Sequence, residues 1–289
     1  MFRLAVITDE ISQELETVIE FAHTWGLQGV ELRSVWEKGP FAWETADVIR
    51  MDARLRSEGL AVCGIGAPFY KCDFADAAER AVHLEGLRRC CEFAHRLGAP
   101  LIRGFSFWKG PYSVQEIAQA FEPVDEILKK EDMQLVLEPD PSVNTPNGAT
   151  VAALLREINS ERIGALWDPG NILFDTAGEV PYPDGYEAVR PWLKHVHLKD
   201  SVRENGQPRA VPFGTGQVDM KGQLRRLVQE GYNGWISLEP HYRLDRVLDE
   251  ATLRLPAGSS FSEGGLAAGS DTMHRLTEKM KLWGMTPAT

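Results

Sequence analysis

Three strand-like runs each end in an acid directly before a proline: Glu138 in QLVLEPDP, Asp168 in ALWDPGN and Glu239 in ISLEPHY. In each case an apolar run of the kind that fills a buried strand leads into the acid. Proline then withholds the next ladder donor, so the strand must stop at the carboxylate. The residue before a proline is also pushed out of the helical region into extended backbone, which aims each carboxylate in a fixed direction. Between the last two acids, LKHVHLKD alternates so that His195, His197 and Lys199 share one face while Val196 and Leu198 share the other. Three carboxylates and one imidazole gathered at a point would repel one another and hold raised pKa values unless a cation sits among them. Glu138, Asp168, His197 and Glu239 form an oxygen-rich set with one nitrogen. It favours Mn²⁺, Mg²⁺ or Co²⁺ in an octahedral site with open positions, and it admits Zn²⁺ although thiolate is absent.

The chemistry expected of such a centre is proton abstraction next to a carbonyl. An ion reached by a substrate's carbonyl and neighbouring hydroxyl oxygens withdraws charge, so the enediolate is stabilised as it develops. Glu138 and Glu239 are the candidate base and acid. Returning the proton to the other face of the same carbon epimerises, and returning it to the neighbouring carbon isomerises. Expelling a β-hydroxyl instead dehydrates.

Bringing these residues together requires a particular set of elements. Strand-like runs at 4–8, 29–33, 61–66, 100–105, 134–138, 163–168, 193–199 and 234–239 alternate with amphipathic segments near 14–25, 45–58, 77–97, 114–131, 148–159, 185–192, 219–231 and 271–283. Gly26, Gly59 and Gly98 follow helical patterns as left-handed terminators would. Eight successive β-then-α units predict an α/β fold, a (β/α)8 TIM barrel forming a single domain over residues 1–289. In that fold the strand ends converge on the C-terminal face. The spacings from Glu138 to Asp168 and from Asp168 to His197 each match about one repeat. Two stretches depart from the pattern: a long loop expected at 200–218, and a flexible Gly/Ser-rich segment at about 242–270.

Composition limits the alternatives. A chain of 289 residues with 43% hydrophobic content can bury a large core, and a net charge of −11 argues against a nucleic-acid partner. Cys63, Cys72, Cys90 and Cys91 have no zinc-ligand spacing and read as small packed residues. The N-terminal MFRLAVITDE enters a strand at once, and no apolar run approaches the ~18 residues of a membrane span. A cytoplasmic protein without a membrane partner is expected.

The motifs LEPD, WDPGN, HVHLKDS and GTGQVDMKGQLRRLVQEGYNGWISLEPH, with GLQGVELRS around Glu31, resemble the sugar phosphate isomerase/epimerase family, the xylose-isomerase-like TIM barrels. The resemblance spans nearly the whole chain. It implies a single metal held by Glu138, Asp168, His197 and Glu239, with the two glutamates moving protons on opposite faces of a bound sugar. It also implies a small-molecule sugar or polyol substrate, phosphorylated or not, and a homodimer, since barrels of this family often pair. The inosose dehydratases of the same group leave open a lyase acting on a keto-inositol, and a barrel that binds sugar without turnover is a third reading. The superfamily's DNA-repair endonucleases hold three zinc ions through a histidine-rich cluster, and too few rim histidines occur here for that.

Further substrate contacts are expected from Asn171, where many epimerases of the family carry histidine, and from Lys199, Arg209, Arg103 and Glu31. Arg103 alternates with Leu101 and Phe105 and would need a buried acid or a substrate oxygen as partner. Trp36, Phe41, Trp43, Phe69, Phe107 and Trp108, in or beside the loops after the second to fourth strands, are candidates for an aromatic wall. Asp200 is placed to orient Lys199 or to cap the following loop.

Overall fold

The computed structural model describes residues 2–254, 256 and 258–285. Eight of the apolar runs form parallel strands: β1 (Arg3–Ile7), β2 (Gly29–Leu32), β3 (Ala61–Phe69), β4 (Leu101–Gly104), β5 (Gln134–Leu137), β6 (Ile163–Trp167), β7 (Leu193–Leu198) and β10 (Trp235–Leu238). They pair in the order β1-β10-β7-β6-β5-β4-β3-β2, and β2 returns to β1, closing a (β/α)8 barrel. Both faces of most strands are buried, which is why the runs read as continuous rather than alternating.

Alternation nonetheless sorts their side chains. Leu135 and Leu137, Ile163 and Ala165, Val196 and Leu198, and Ile236 and Leu238 belong to the large apolar layer between strands and helices. The residues between them belong to the barrel interior. Near its N-terminal end the interior is apolar, with Ala5, Cys63 and Trp235 in one cluster and Leu101, Val136 and Leu166 in another. Leu101, Val136 and Leu166 each contribute about 1.5–3 kcal/mol by leaving water. Toward the C-terminal end the interior turns polar and then charged: Glu31, His195, His197 and Ser237, followed by Arg33, Glu138, Asp168, Lys199 and Glu239, all buried.

The helices lie where the periodicity places them, including Leu15–Trp25, Thr45–Ser57, Ala77–Leu97, Gly148–Ile158 and Met220–Gln229. Gly26, Gly59 and Gly98 hold φ of 64°, 70° and 68° at the ends of the first three. The pattern expected at 114–131 is broken into Val114–Gln119 and Glu122–Lys130, where Pro123 opens the second helix without an N–H to give. The last helix, Gly265–Trp283, starts earlier than its amphipathic pattern indicates.

The two irregular stretches carry structure of their own. Residues 200–218, expected as a loop, contain an antiparallel hairpin of β8 (Ser201–Glu204) and β9 (Gln207–Ala210). Residues 242–270 include short helices at Glu250–Arg254 and Gly258–Ser262. Among the described residues no helix is long and apolar enough to cross a membrane.

Candidate active site

Each of the three prolines follows a strand end, and its acid points into the mouth of the barrel. Donor atoms of Glu138, Asp168, His197 and Glu239 all lie within 4.8 Å of one another, and all four side chains are buried. Asp168 Oδ1 caps the short helix Pro169–Ile172, accepting from the backbone N–H of Gly170 at 2.9 Å and of Asn171 at 3.2 Å. That cap fixes the carboxylate and leaves Oδ2 turned to the cluster. Gly170 is required beside it, because a Cβ there would meet Lys199 Cγ at 2.5 Å.

The donor set fits a hard divalent cation on two observations of this chain. Glu138 Oε2 and Asp168 Oδ2 are buried and face cationic side chains, Arg103 Nη1 at 3.2 Å and Lys199 Nζ at 2.7 Å, so the converging carboxylates already draw positive charge to this point. His197 also presents its two nitrogens differently. Nε2 lies 3.1 Å from Glu31 Oε2, while Nδ1 faces Glu239 Oε2 at 3.0 Å and Glu138 Oε1 at 3.5 Å. A metal replacing the Nδ1 proton would leave Nε2–H held by Glu31, the carboxylate–histidine–metal arrangement that orients a ligand ring.

Basic groups share the same space. Lys199 Nζ stands 2.7 Å from Asp168 Oδ2 and 2.9 Å from Glu239 Oε2, and donates to Asn171 Oδ1 at 3.0 Å. Arg103 Nη1 lies 3.2 Å from Glu138 Oε2. Burial pushes Asp168 up to about 7; Lys199 opposes the shift, and Glu239 and Glu138 reinforce it. Burial acts in the same sense on Glu239, but the charges of Lys199, His197 and His241 outweigh it and hold that carboxyl well below its usual range. Arg103 and His197 overcome burial in the same way and lower Glu138. His197 is raised well above its ordinary value because Glu31, Glu239 and Glu138 together outweigh its burial.

Several expected contacts are placed as anticipated and others are not. Arg103, Asn171 and Lys199 line the cavity above the cluster. Asn171 is already engaged at both ends, its Nδ2 donating to Glu138 Oε1 at 3.1 Å and to Pro139 O at 2.9 Å. Glu31 does not line the cavity. It lies below, bonded to His197 and, at 3.0 Å, to His195 Nε2, so it holds the histidines rather than a substrate. Arg209 is 56% exposed on the hairpin and pairs with Glu204, because strand alternation in β9 turns it to solvent. Trp108 does not line the cavity either, and its ring centroid stands 5.8 Å from Lys71 Nζ. Trp43, Phe69 and Phe107 belong to the apolar layer, and Trp36 and Phe41 pack against it. The aromatic rings on the cavity are Phe105 and Phe174. Asp200 caps the following loop, accepting from Gly214 and Gly216 N–H at 2.8 and 2.9 Å.

Sequence reasoning missed Arg33. Its guanidinium donates to Glu239 Oε1 at 2.6 Å, to Asp9 Oδ1 at 2.8 Å and to Glu10 Oε1 at 2.9 Å. His241 Nδ1 lies 2.6 Å from Glu10 Oε1, and Arg243 Nη1 stands 3.5 Å from Glu10 Oε2. The signal was legible: Arg33 falls two residues after Glu31, on the same inward face, and Asp9 and Glu10 follow directly on the first strand. Lys71 and Asp140, 2.8 Å apart on the cavity wall, were also not foreseen.

With this geometry in hand, comparison with known proteins is informative. The family model described as xylose isomerase-like TIM barrel matches residues 19–259. A 3'-dehydrocarminate deglycosidase alpha subunit from a Microbacterium species is 30% identical over 170 residues, covering 55% of this chain and 46% of that one. An inosose dehydratase from Klebsiella pneumoniae is 25% identical over 141 residues, covering 43% of this chain and 46% of the relative. The matched stretch thus spans about half the length of these curated relatives. Among solved structures, a D-allulose 3-epimerase from a Methylomonas species superposes with a TM-score of 0.72 at 18% identity, over 96% of both chains. At that identity the likeness concerns the fold.

Proposed function

This chain belongs to the xylose isomerase-like TIM barrel family, and we propose that it is a metal-dependent enzyme that isomerises or epimerises a keto-sugar by moving a proton at the carbon next to the carbonyl. The observation that carries the reading is the convergence of Glu138, Asp168, His197 and Glu239, all buried, with donor atoms within 4.8 Å of one another. These four residues would hold one divalent ion, with Mn²⁺, Mg²⁺ or Co²⁺ suited to the donors and Zn²⁺ admitted. When bound, such an ion polarises a substrate carbonyl and lowers the cost of forming the enediolate.

The remaining work falls to the protein's own side chains. Glu138 and Glu239 are held as carboxylates by Arg103 on one side and by Arg33 and Lys199 on the other, so each is ready to accept a proton near neutral pH. Isomerisation needs one of them for the carbon-bound proton: the carboxylate that takes it returns it to the neighbouring carbon, while the hydroxyl proton passes from the neighbouring oxygen to the former carbonyl oxygen. Epimerisation needs both: one takes the proton, and the opposite one must enter the turnover protonated, against the pull of its cationic neighbours, to deliver its own to the other face. Lys199 and Arg103 reach into the cavity and stabilise negative charge on substrate oxygens. Glu31 keeps the His197 ring in one orientation and one tautomer.

A second reading, dehydration of a keto-inositol or related polyol, uses the same first step. The likeness to an inosose dehydratase favours it. After proton abstraction the β-hydroxyl leaves with the electron pair and takes up a proton, giving an enone and water.

The two readings and the proposal beneath them are tested together. In ²H₂O, metal-loaded enzyme incubated with a panel of ketoses and keto-inositols should place deuterium at a carbon next to the carbonyl of at least one compound. Elimination adds an enone absorbance, which isomerisation lacks. Glu138→Gln or Glu239→Gln should lower the exchange rate by roughly 10²–10⁴-fold, the usual contribution of a positioned acid or base. Full exchange in either variant would overturn the assigned roles.

A further inference from the structure

The cavity over the site has an inverted order of polarity. Its volume of about 520 Å³ falls in the range of roughly 300–1,000 Å³ that encloses drug-sized ligands, well beyond a bare hexose. The floor is charged and buried, formed by Arg33, Arg103, Glu138, Lys199 and Glu239. Toward solvent six lining residues are apolar and partly exposed, Pro141, Phe174, Pro208, Leu248, Leu253 and Pro256, with Ser142 and Gln207 as polar residues among them. These six come from four separate loops, following β5, β6 and β10 and in the β8–β9 hairpin. The polar groups on the same wall are matched among themselves, Lys71 with Asp140 at 2.8 Å and His241 with Glu10 at 2.6 Å. A sugar filling only the floor would leave these outer apolar surfaces facing water.

We propose that the substrate is amphipathic: a keto-sugar ring seated on the charged floor and bearing an apolar, aromatic-sized substituent that occupies the outer vestibule. This rests on the sugar-converting reading of the floor and adds the substrate's second half. The driving force for the outer half is removal of apolar surface from water, on the substituent and on the loop side chains together. Continuity with the site decides the occupant, because the vestibule opens directly above Glu138 and Glu239. The likeness to an alpha subunit acting on a dehydrogenated glycoside points the same way.

The test uses metal-loaded full-length protein and two probes, methyl and phenyl 3-keto-β-D-glucopyranoside, with binding measured by calorimetry and turnover by solvent deuterium exchange. The phenyl compound should bind at least tenfold more tightly than the methyl compound. In the Leu248→Asn/Leu253→Asn double variant this ratio should fall below threefold. Equal affinities within twofold for the wild type, or a tenfold preference that survives in the double variant, would overturn the proposal. Binding and exchange separate the two readings. A phenyl preference without exchange on either probe upholds the vestibule and sinks the proton-transfer reading, whereas exchange without a phenyl preference does the reverse.

Discussion

Two buried acid clusters share Glu239 and are neutralised in different ways. On one side Asp9, Glu10 and Glu239 close around Arg33, with His241 and Arg243 against Glu10. On the other side Lys199 bridges Asp168 and Glu239 at 2.7 and 2.9 Å, and Arg103 reaches Glu138 at 3.2 Å, beside His197. Donor atoms of Glu10, Glu239 and His241 also approach within 4.8 Å, so proximity alone does not distinguish the two sides. What distinguishes them is how the cations are held: on the first side one guanidinium, Arg33, donates to all three carboxylates, while on the second a lysine spans two of them and Arg103 reaches only the third. A cluster closed by one arginine bonded to every acid has a structural charge balance, while one spanned by a flexible lysine can give that cation up for a ligand cation.

Removing the guanidinium should break the first side most severely. Arg33→Met leaves three buried carboxylates without their shared partner, and breaking a buried pair costs about 3–5 kcal/mol. Urea unfolding should show that loss, whereas Lys199→Met, which touches the ligand-binding side, should destabilise less when Mn²⁺ is supplied. An Arg33→Met variant within 1 kcal/mol of wild type would dissolve the contrast.

A smaller effect sharpens it through pH. Burial, more than offsetting Arg33, raises Asp9 from 3.8 to about 6, and its Oδ2 accepts no hydrogen bond. The folded state therefore holds a proton that the unfolded chain releases between those values. The stabilisation is fully present below about pH 4 and is lost as pH rises through about 6. Asp9→Asn keeps a neutral side chain at every pH and should remove about 2–3 kcal/mol of the wild type's decline between pH 4 and 7. Parallel stability curves for the two proteins would contradict it. At the bottom of the scale, Arg209→Ala should change stability by less than about 0.5 kcal/mol and leave turnover unaltered, since the exposed pair with Glu204 is worth little.

The barrel was legible because its strands are short, apolar and punctuated by proline and glycine, signals that act locally. Glu138, Asp168, His197 and Glu239 could be brought together on paper because a closed barrel converts strand order into proximity. Arg33 escaped notice because its significance lies in three partners drawn from the ends of two other strands, β1 and β10, which no single window contains. Arg209 and Trp108 were misplaced for the converse reason. Both lie in irregular connections, where the hairpin at 201–210 and the packing around Lys71 decide direction and where no periodicity constrains the reading. Glu31 was expected as a substrate contact from the family resemblance alone, and its carboxylate meets His195 and His197 beneath the cavity.

The most direct test of the central claim is the anomalous scattering of a crystal grown with Mn²⁺. One peak per chain is predicted, within coordination distance of Glu138, Asp168, His197 Nδ1 and Glu239, with Glu31 still bonded to His197 Nε2. A peak between Glu10, Glu239 and His241 instead, or no peak at saturating Mn²⁺, would contradict the account.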